Sequence, residues 1–235
     1  MADDERSQSE RVGTAKDVAG IVLLAPTQFV IVAIAILMPS EARDGMLFLL
    51  GKIWLVAIPV AWWFLVEKRG FSRLDLNKKN LRKGAVLGAA LSAPMLVGYL
   101  ILAKGLDGES VRGALTPFDP TNWWMLLLGA IYWTFGNSWI EEFAYRQFLL
   151  VRAEPLLGEK GAVALSALSW VSHHTLTMTF FLPFWANGIA SLGLLFAGVM
   201  WAKLWLKSRS MAPVWLSHGI ADLMIFGLAA HAMLL

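Results

Sequence analysis

The stretch "WWMLLLGAIYWTFGNSWIEEFAYRQFLL", Trp123–Leu150, decides the fold. Its first half is aromatic and aliphatic without a charge, and reads as a helix immersed in lipid. Its second half carries Glu141, Glu142 and Arg146 among residues that are otherwise almost all apolar. The run exceeds the roughly 20 residues that cross a bilayer, so it overhangs the membrane or carries its charges inside it. Charge at that depth is costly, and normally faces a cavity or a partner.

Working outward, the same apolar character recurs along the chain. Hydrophobic residues make up 57% and charged residues 16%, and the mean hydropathy is +0.60. A soluble domain would carry about a quarter charged residues. The apolar runs are continuous rather than alternating, which excludes a transmembrane β-barrel. The expected fold is therefore all-α: a polytopic transmembrane helical bundle of about seven spans. These are Val18–Met38, Met46–Val66, Gly84–Ala103, Trp123–Leu150, Gly161–Met178, Gly188–Leu206 and Met211–Leu235. "TFFLPFWANG" (Thr179–Gly188) has room for a further half-span. No internal repeat is evident.

A net charge of +3 and a pI near 9.3 could suggest nucleic acid. The basic residues lie between the apolar runs, however, as membrane topology demands. With the N-terminus inside, sixteen basic residues fall on the cytoplasmic side, and only Arg43, Lys104 and Arg112 fall outside. That asymmetry favours an odd number of spans. The first 17 residues are polar, and no cleavage pattern follows the first apolar run, so no cleavable signal peptide is expected. With no cysteine, disulfides, thiolate metal sites and cysteine nucleophiles are excluded.

Few ionisable residues remain at membrane depth: Lys52, Glu141, Glu142, Arg146, His173, His174, His218, Asp222 and His231. Most fall in three clusters, "EEFAYR", "WVSHH" and "HGIAD". Glu142 and Arg146 have the i,i+4 order that favours an ion pair. Glu141 points about 100° away, with Asn137 and Tyr145 one turn to either side as hydrogen-bond candidates. A salt bridge beside a carboxyl kept protonated by burial would account for this cluster structurally. The functional reading divides the labour: Glu142–Arg146 braces the helix while Glu141 serves as a base. Of the adjacent His173 and His174, one can face a given point. His218 and Asp222 share a helix face, a spacing that suits an acid-held histidine, a metal pair or an oxyanion-stabilising pair. Lys52, free to snorkel, and His231 are read as structural.

Taken in order, Glu141-Glu142-x-x-x-Arg146, Trp170-x-x-x-His174 and His218-x-x-x-Asp222 on successive membrane helices resemble the CPBP family, the CAAX proteases and bacteriocin-processing enzymes also called Abi proteins. The basic segment "EKRGFSRLDLNKKNLRKG" resembles the lead-in to that family's membrane core, so the resemblance runs from Glu67 to the C-terminus. It implies an intramembrane glutamic-type endopeptidase, formerly classed as a metalloprotease. Glu141 and His174 would activate a water, His218 and Asp222 would stabilise the oxyanion, and Glu142, Arg146 and His173 would support them. Two departures stand out. Trp170 replaces the usual Phe. Asp222 stands where eukaryotic members have Asn, so it is protonated, orients His218, or ligates a metal.

The expected organisation is a polar cytoplasmic segment (1–17), two N-terminal transmembrane helices (18–66) and a catalytic membrane core (67–235). The expected setting is a bacterial inner membrane. The partners would be lipid and a peptide or membrane-anchored substrate, of CAAX, C-terminal sorting-tag or bacteriocin type. No cofactor is expected, with zinc the alternative: Glu141, His174, His218 and Asp222 are conceivable ligands, but zincin spacing is missing. A proton- or ion-coupled transporter is the rival from another class, and a non-enzymatic immunity or scaffold protein the third reading.

Overall fold

The computed structural model describes residues 14–68, 76–102, 122–180 and 182–233, and among these every regular element is a helix. In chain order they are α1 (Ala15–Leu24), α2 (Thr27–Leu37), α3 (Glu41–Ala61), a π-helix (Trp62–Val66), α4 (Lys78–Leu102), α5 (Trp123–Ile131), a π-helix (Tyr132–Asn137), α6 (Ser138–Glu142), a π-helix (Phe143–Leu150), α7 (Val151–Met178), α8 (Phe184–Ser208) and α9 (Met211–Ala232). The first 13 residues, residues 69–75 of the Lys68–Lys83 loop, Lys104 and Arg112 lie outside the described residues.

Local chemistry sets the boundaries. Thr14 and Asp17 form a reciprocal capping box at the start of α1. The Asn122 side chain accepts from the backbone N–H groups of Trp124 and Met125 and opens α5. Within α7, Gly158 has φ 67° and ψ 174°, a conformation that only glycine takes without strain. It breaks the helix in the interval expected between the fourth and fifth spans.

Among the described residues, five helical stretches are long and apolar enough to cross a membrane: Ala15–Leu37, Arg43–Val66, Lys78–Ile101, Phe184–Ser208 and Met211–Ala232. They coincide with the first, second, third, sixth and seventh expected spans, and the protein is a helical membrane bundle. The fourth is helical too, but it is divided among short α and π pieces and contains Glu141, Glu142 and Arg146. The fifth lies in α7, whose first part holds Arg152, Glu154, Glu159 and Lys160. The second half of the stretch with room for a half-span, Phe184–Gly188, joins α8, which begins at Phe184.

The chain groups into two compact units, Met1–Arg73 with Ile140–Lys207 and Leu74–Trp139 with Ser208–Leu235. In the first, α1 and α2 pack on α7, and α1 and α3 pack on the Phe143–Leu150 π-helix. Ser166 on α7 donates a hydrogen bond to the Tyr145 carbonyl at 2.8 Å, tying the π turns to α7. In the second, α4 lies directly against α9. A Cβ at Gly84 would collide with the Pro213 carbonyl oxygen, and one at Gly88 would stand 2.8 Å from that of Ser217. Glycines four apart let the two backbones touch, the usual route to close helix packing in lipid.

Candidate active site

The first two sequence clusters meet in the first unit. Glu141, 1% exposed, is held by donors from two other helices. The indole N–H of Trp170 on α7 donates to Glu141 Oε2 at 2.6 Å, and Lys52 on α3 donates to Oε1 at 3.2 Å. His174 Nε2 stands 3.9 Å from Oε2. Its Nδ1 lies 3.0 Å from the Trp170 carbonyl. A carbonyl only accepts, so Nδ1 carries the hydrogen, and in the neutral ring Nε2 is the unprotonated nitrogen, facing the carboxylate.

Glu142 takes a different partner. Arg146 Nη1 lies 3.3 Å from Glu142 Oε1, with both side chains fully buried. The guanidinium carbon sits 5.1 Å from the ring centre of Trp170 and 5.5 Å from that of Trp201, so two indole faces share its charge. Gly198 on α8 makes room for this arrangement: a Cβ there would approach Trp170 Cε3 to 3.2 Å. The Glu142–Arg146 pair read from the sequence is therefore present, while Glu141 takes other partners than those expected.

Three details differ from expectation. Lys52 does not snorkel; it is 8% exposed and pairs with Glu141. As a cation inside an apolar span it called for a buried carboxylate partner, and that signal could have identified it. Tyr145 does not hydrogen-bond Glu141. Its ring stacks on His173, with centroids 6.0 Å apart and planes at 14°, and its hydroxyl has no hydrogen-bond partner among the described residues. Nor is His173 turned wholly away: one nitrogen each from His173 and His174 and one Glu141 oxygen lie within 4.8 Å of one another. Side-chain reach overcomes the angular divergence of neighbouring helical positions.

The third cluster belongs to the second unit. His218 Nε2 and Asp222 Oδ1 are 3.6 Å apart across one turn of α9, both largely buried. A Cβ on the adjacent Gly219 would stand 3.2 Å from the Thr134 carbonyl, so α9 runs close to the Tyr132–Asn137 π-helix there. His231 bonds Tyr99 through Nδ1 at 2.5 Å.

Apolar helices long enough to cross a membrane, with a buried carboxylate–histidine pair held by an ammonium and an indole, define a membrane-embedded helical protein with a polar cluster in its interior. Residues 122–224 match the family model described as type II CAAX prenyl endopeptidase Rce1-like. The resemblance read from the three motifs is thus found independently over a stretch that contains all of them and excludes the N-terminal helices with Lys52. It supports a protease that works within the membrane. No curated protein and no solved structure matches the chain.

Proposed function

We propose that the protein is an intramembrane endopeptidase in which Glu141 and His174 together activate the water that cleaves a peptide bond. The observation that carries this reading is the 3.9 Å approach of His174 Nε2 to Glu141 Oε2, with Nδ1 fixed on a carbonyl. Two acceptors at that separation can share one water, each at ordinary hydrogen-bond distance. Glu141 takes one proton as the water oxygen adds to the substrate carbonyl carbon. The same proton then goes to the departing amine as the C–N bond breaks. From the resemblance, His218 is the donor that stabilises the tetrahedral oxyanion, and the 3.6 Å approach of Asp222 favours a role in orienting it. The substrate would be a membrane-associated peptide or C-terminus, of CAAX, sorting-tag or bacteriocin type.

A metal-dependent reading draws on Glu141, His173 and His174, whose donor types suit zinc. Their surroundings do not. The Lys52 ammonium already holds one carboxylate oxygen and the Trp170 N–H the other, so a divalent ion would meet a cation beside its only anionic ligand. Lys52 and Trp170 favour direct activation of water.

The test compares new protein termini in membranes of cells lacking the gene and complemented with either wild-type or Glu141→Gln protein. Cleaved termini should appear with wild type alone, and in purified protein the cleavage should survive chelation. Identical termini in both strains would sink the protease reading, and activity lost to a chelator and restored by zinc would sink its metal-free form.

A further inference from the structure

We propose that Lys52 is a positioning residue of this site: its ammonium holds Glu141 as the carboxylate and leaves Oε2 aimed at His174. The inference rests on Glu141 being the base, but it concerns a helix outside the stretch that matches the family.

The argument starts from where Lys52 sits. It lies near the middle of α3, on the order of 15 Å of helix from either end at about 1.5 Å per residue. That is too far for a lysine stem to carry its charge to water easily, and the residue is 8% exposed. A cation held there needs an anion. Two carboxylates are available side by side, and Arg146 takes one of them. Lys52 takes the other, at 3.2 Å.

The consequence for Glu141 is direct. A carboxylate 1% exposed has no water to share its charge, and a charge held at that depth needs a partner. The Lys52 ammonium, 3.2 Å from Oε1, supplies that partner through a Coulomb attraction that is strong in an apolar interior. The groups that face Glu141 from α7 are the Trp170 N–H, His174 and His173. Tyr145 lies on its own π-helix. Trp170 is neutral, and His174 faces Glu141 with an acceptor nitrogen when its ring is neutral, so Lys52 carries the permanent charge in this group. It also occupies Oε1, so the carboxylate cannot turn the oxygen it presents to His174 away.

Close packing of α3 on α2 adjoins this contact. A Cβ at Gly51 would stand 2.6 Å from Ile31 Cδ1 and 2.8 Å from Gln28 Nε2. Those two side-chain ends would have to shift for a larger residue, so α3 lies close to α2 one residue before Lys52.

The experiment reads the charge state of Glu141 without needing a substrate. Infrared difference spectra of purified protein at neutral pH, with Glu141→Gln to assign the bands, should show a carboxylate in wild type. In Lys52→Met the protonated carboxyl stretch should replace it and vanish in the Lys52→Met/Glu141→Gln double variant. Lys52→Arg should restore the carboxylate. Lys52→Gln gives the same reading if Lys52→Met does not fold. On a peptide drawn from a mapped cleavage site, Lys52→Met should lower kcat by about tenfold or more, within the ~10²–10⁴-fold that a general base supplies. KM should be little changed, and Lys52→Arg should recover most of the loss. An unaltered carboxylate in folded Lys52→Met protein overturns the assignment whatever the activity. The expected infrared shift in a protein that cleaves nothing would instead sink the protease reading and leave Lys52 in place.

Discussion

Neutralising Glu142 isolates the energetics of the second glutamate. In Glu142→Gln, the fully buried Arg146 loses the carboxylate 3.3 Å away. Removing one partner of a buried ion pair costs about 3–5 kcal/mol, because the other charge is left uncompensated. Two features pull this toward the lower figure. The indole faces of Trp170 and Trp201, at 5.1 and 5.5 Å, still attract the guanidinium, and a desolvated cation–π contact is worth about 2 kcal/mol. The glutamine carbonyl can also accept a hydrogen bond. The expected loss is about 3 kcal/mol. The double variant Glu142→Leu/Arg146→Met removes both charges and should lie within about 1 kcal/mol of wild type, or above it. Unfolding of purified protein in detergent, followed by tryptophan fluorescence, measures all three. A Glu142→Gln protein as stable as wild type, or a double variant worse than the single, would refute the account of Arg146 as a charge kept in place by its partner.

Two further outcomes are expected. Single cysteines placed in this cysteine-free chain should label from the cytoplasmic side in the Lys68–Lys83 loop and from the outside beyond α9; a C-terminal label reached from the cytoplasm would overturn the charge-based orientation. Gly88→Ala should destabilise by about 1–3 kcal/mol through overpacking, since its Cβ would meet the Ser217 carbonyl at 2.8 Å; Gly98→Ala, with open space around it, should not, and equal effects in the two would refute the close α4–α9 contact.

Membrane crossing was legible because it is written in runs: a helix in lipid must be apolar along a whole bilayer's thickness. The Glu142–Arg146 pair was legible because its partners lie one turn apart on the same helix. The Lys52–Glu141 pair was not, because nothing local joins residues 52 and 141. The clue was thermodynamic, a cation too deep to reach water, and snorkelling offered an easier reading. The Trp170 N–H was missed for a related reason: an indole in an apolar helix reads as packing, and only the fold shows where its single donor points. With Lys52 in view, Glu141→Gln strips a buried lysine of its counterion and should lower stability as well as activity, so its protein level is matched to wild type in any comparison.

The π-helical turns of Phe143–Leu150 bear on how relatives of this chain should be aligned. A π turn closes its hydrogen bonds over one residue more than an α turn does, so such a stretch is an α-helix with a residue to spare. A relative that lacks one residue there could continue as plain α-helix without a gap in its backbone. Counting from Glu141 to His174 would then come out one short, although both residues could keep the same neighbours. Homologues of this site are therefore better sought by the order and depth of their polar residues than by a fixed interval between them.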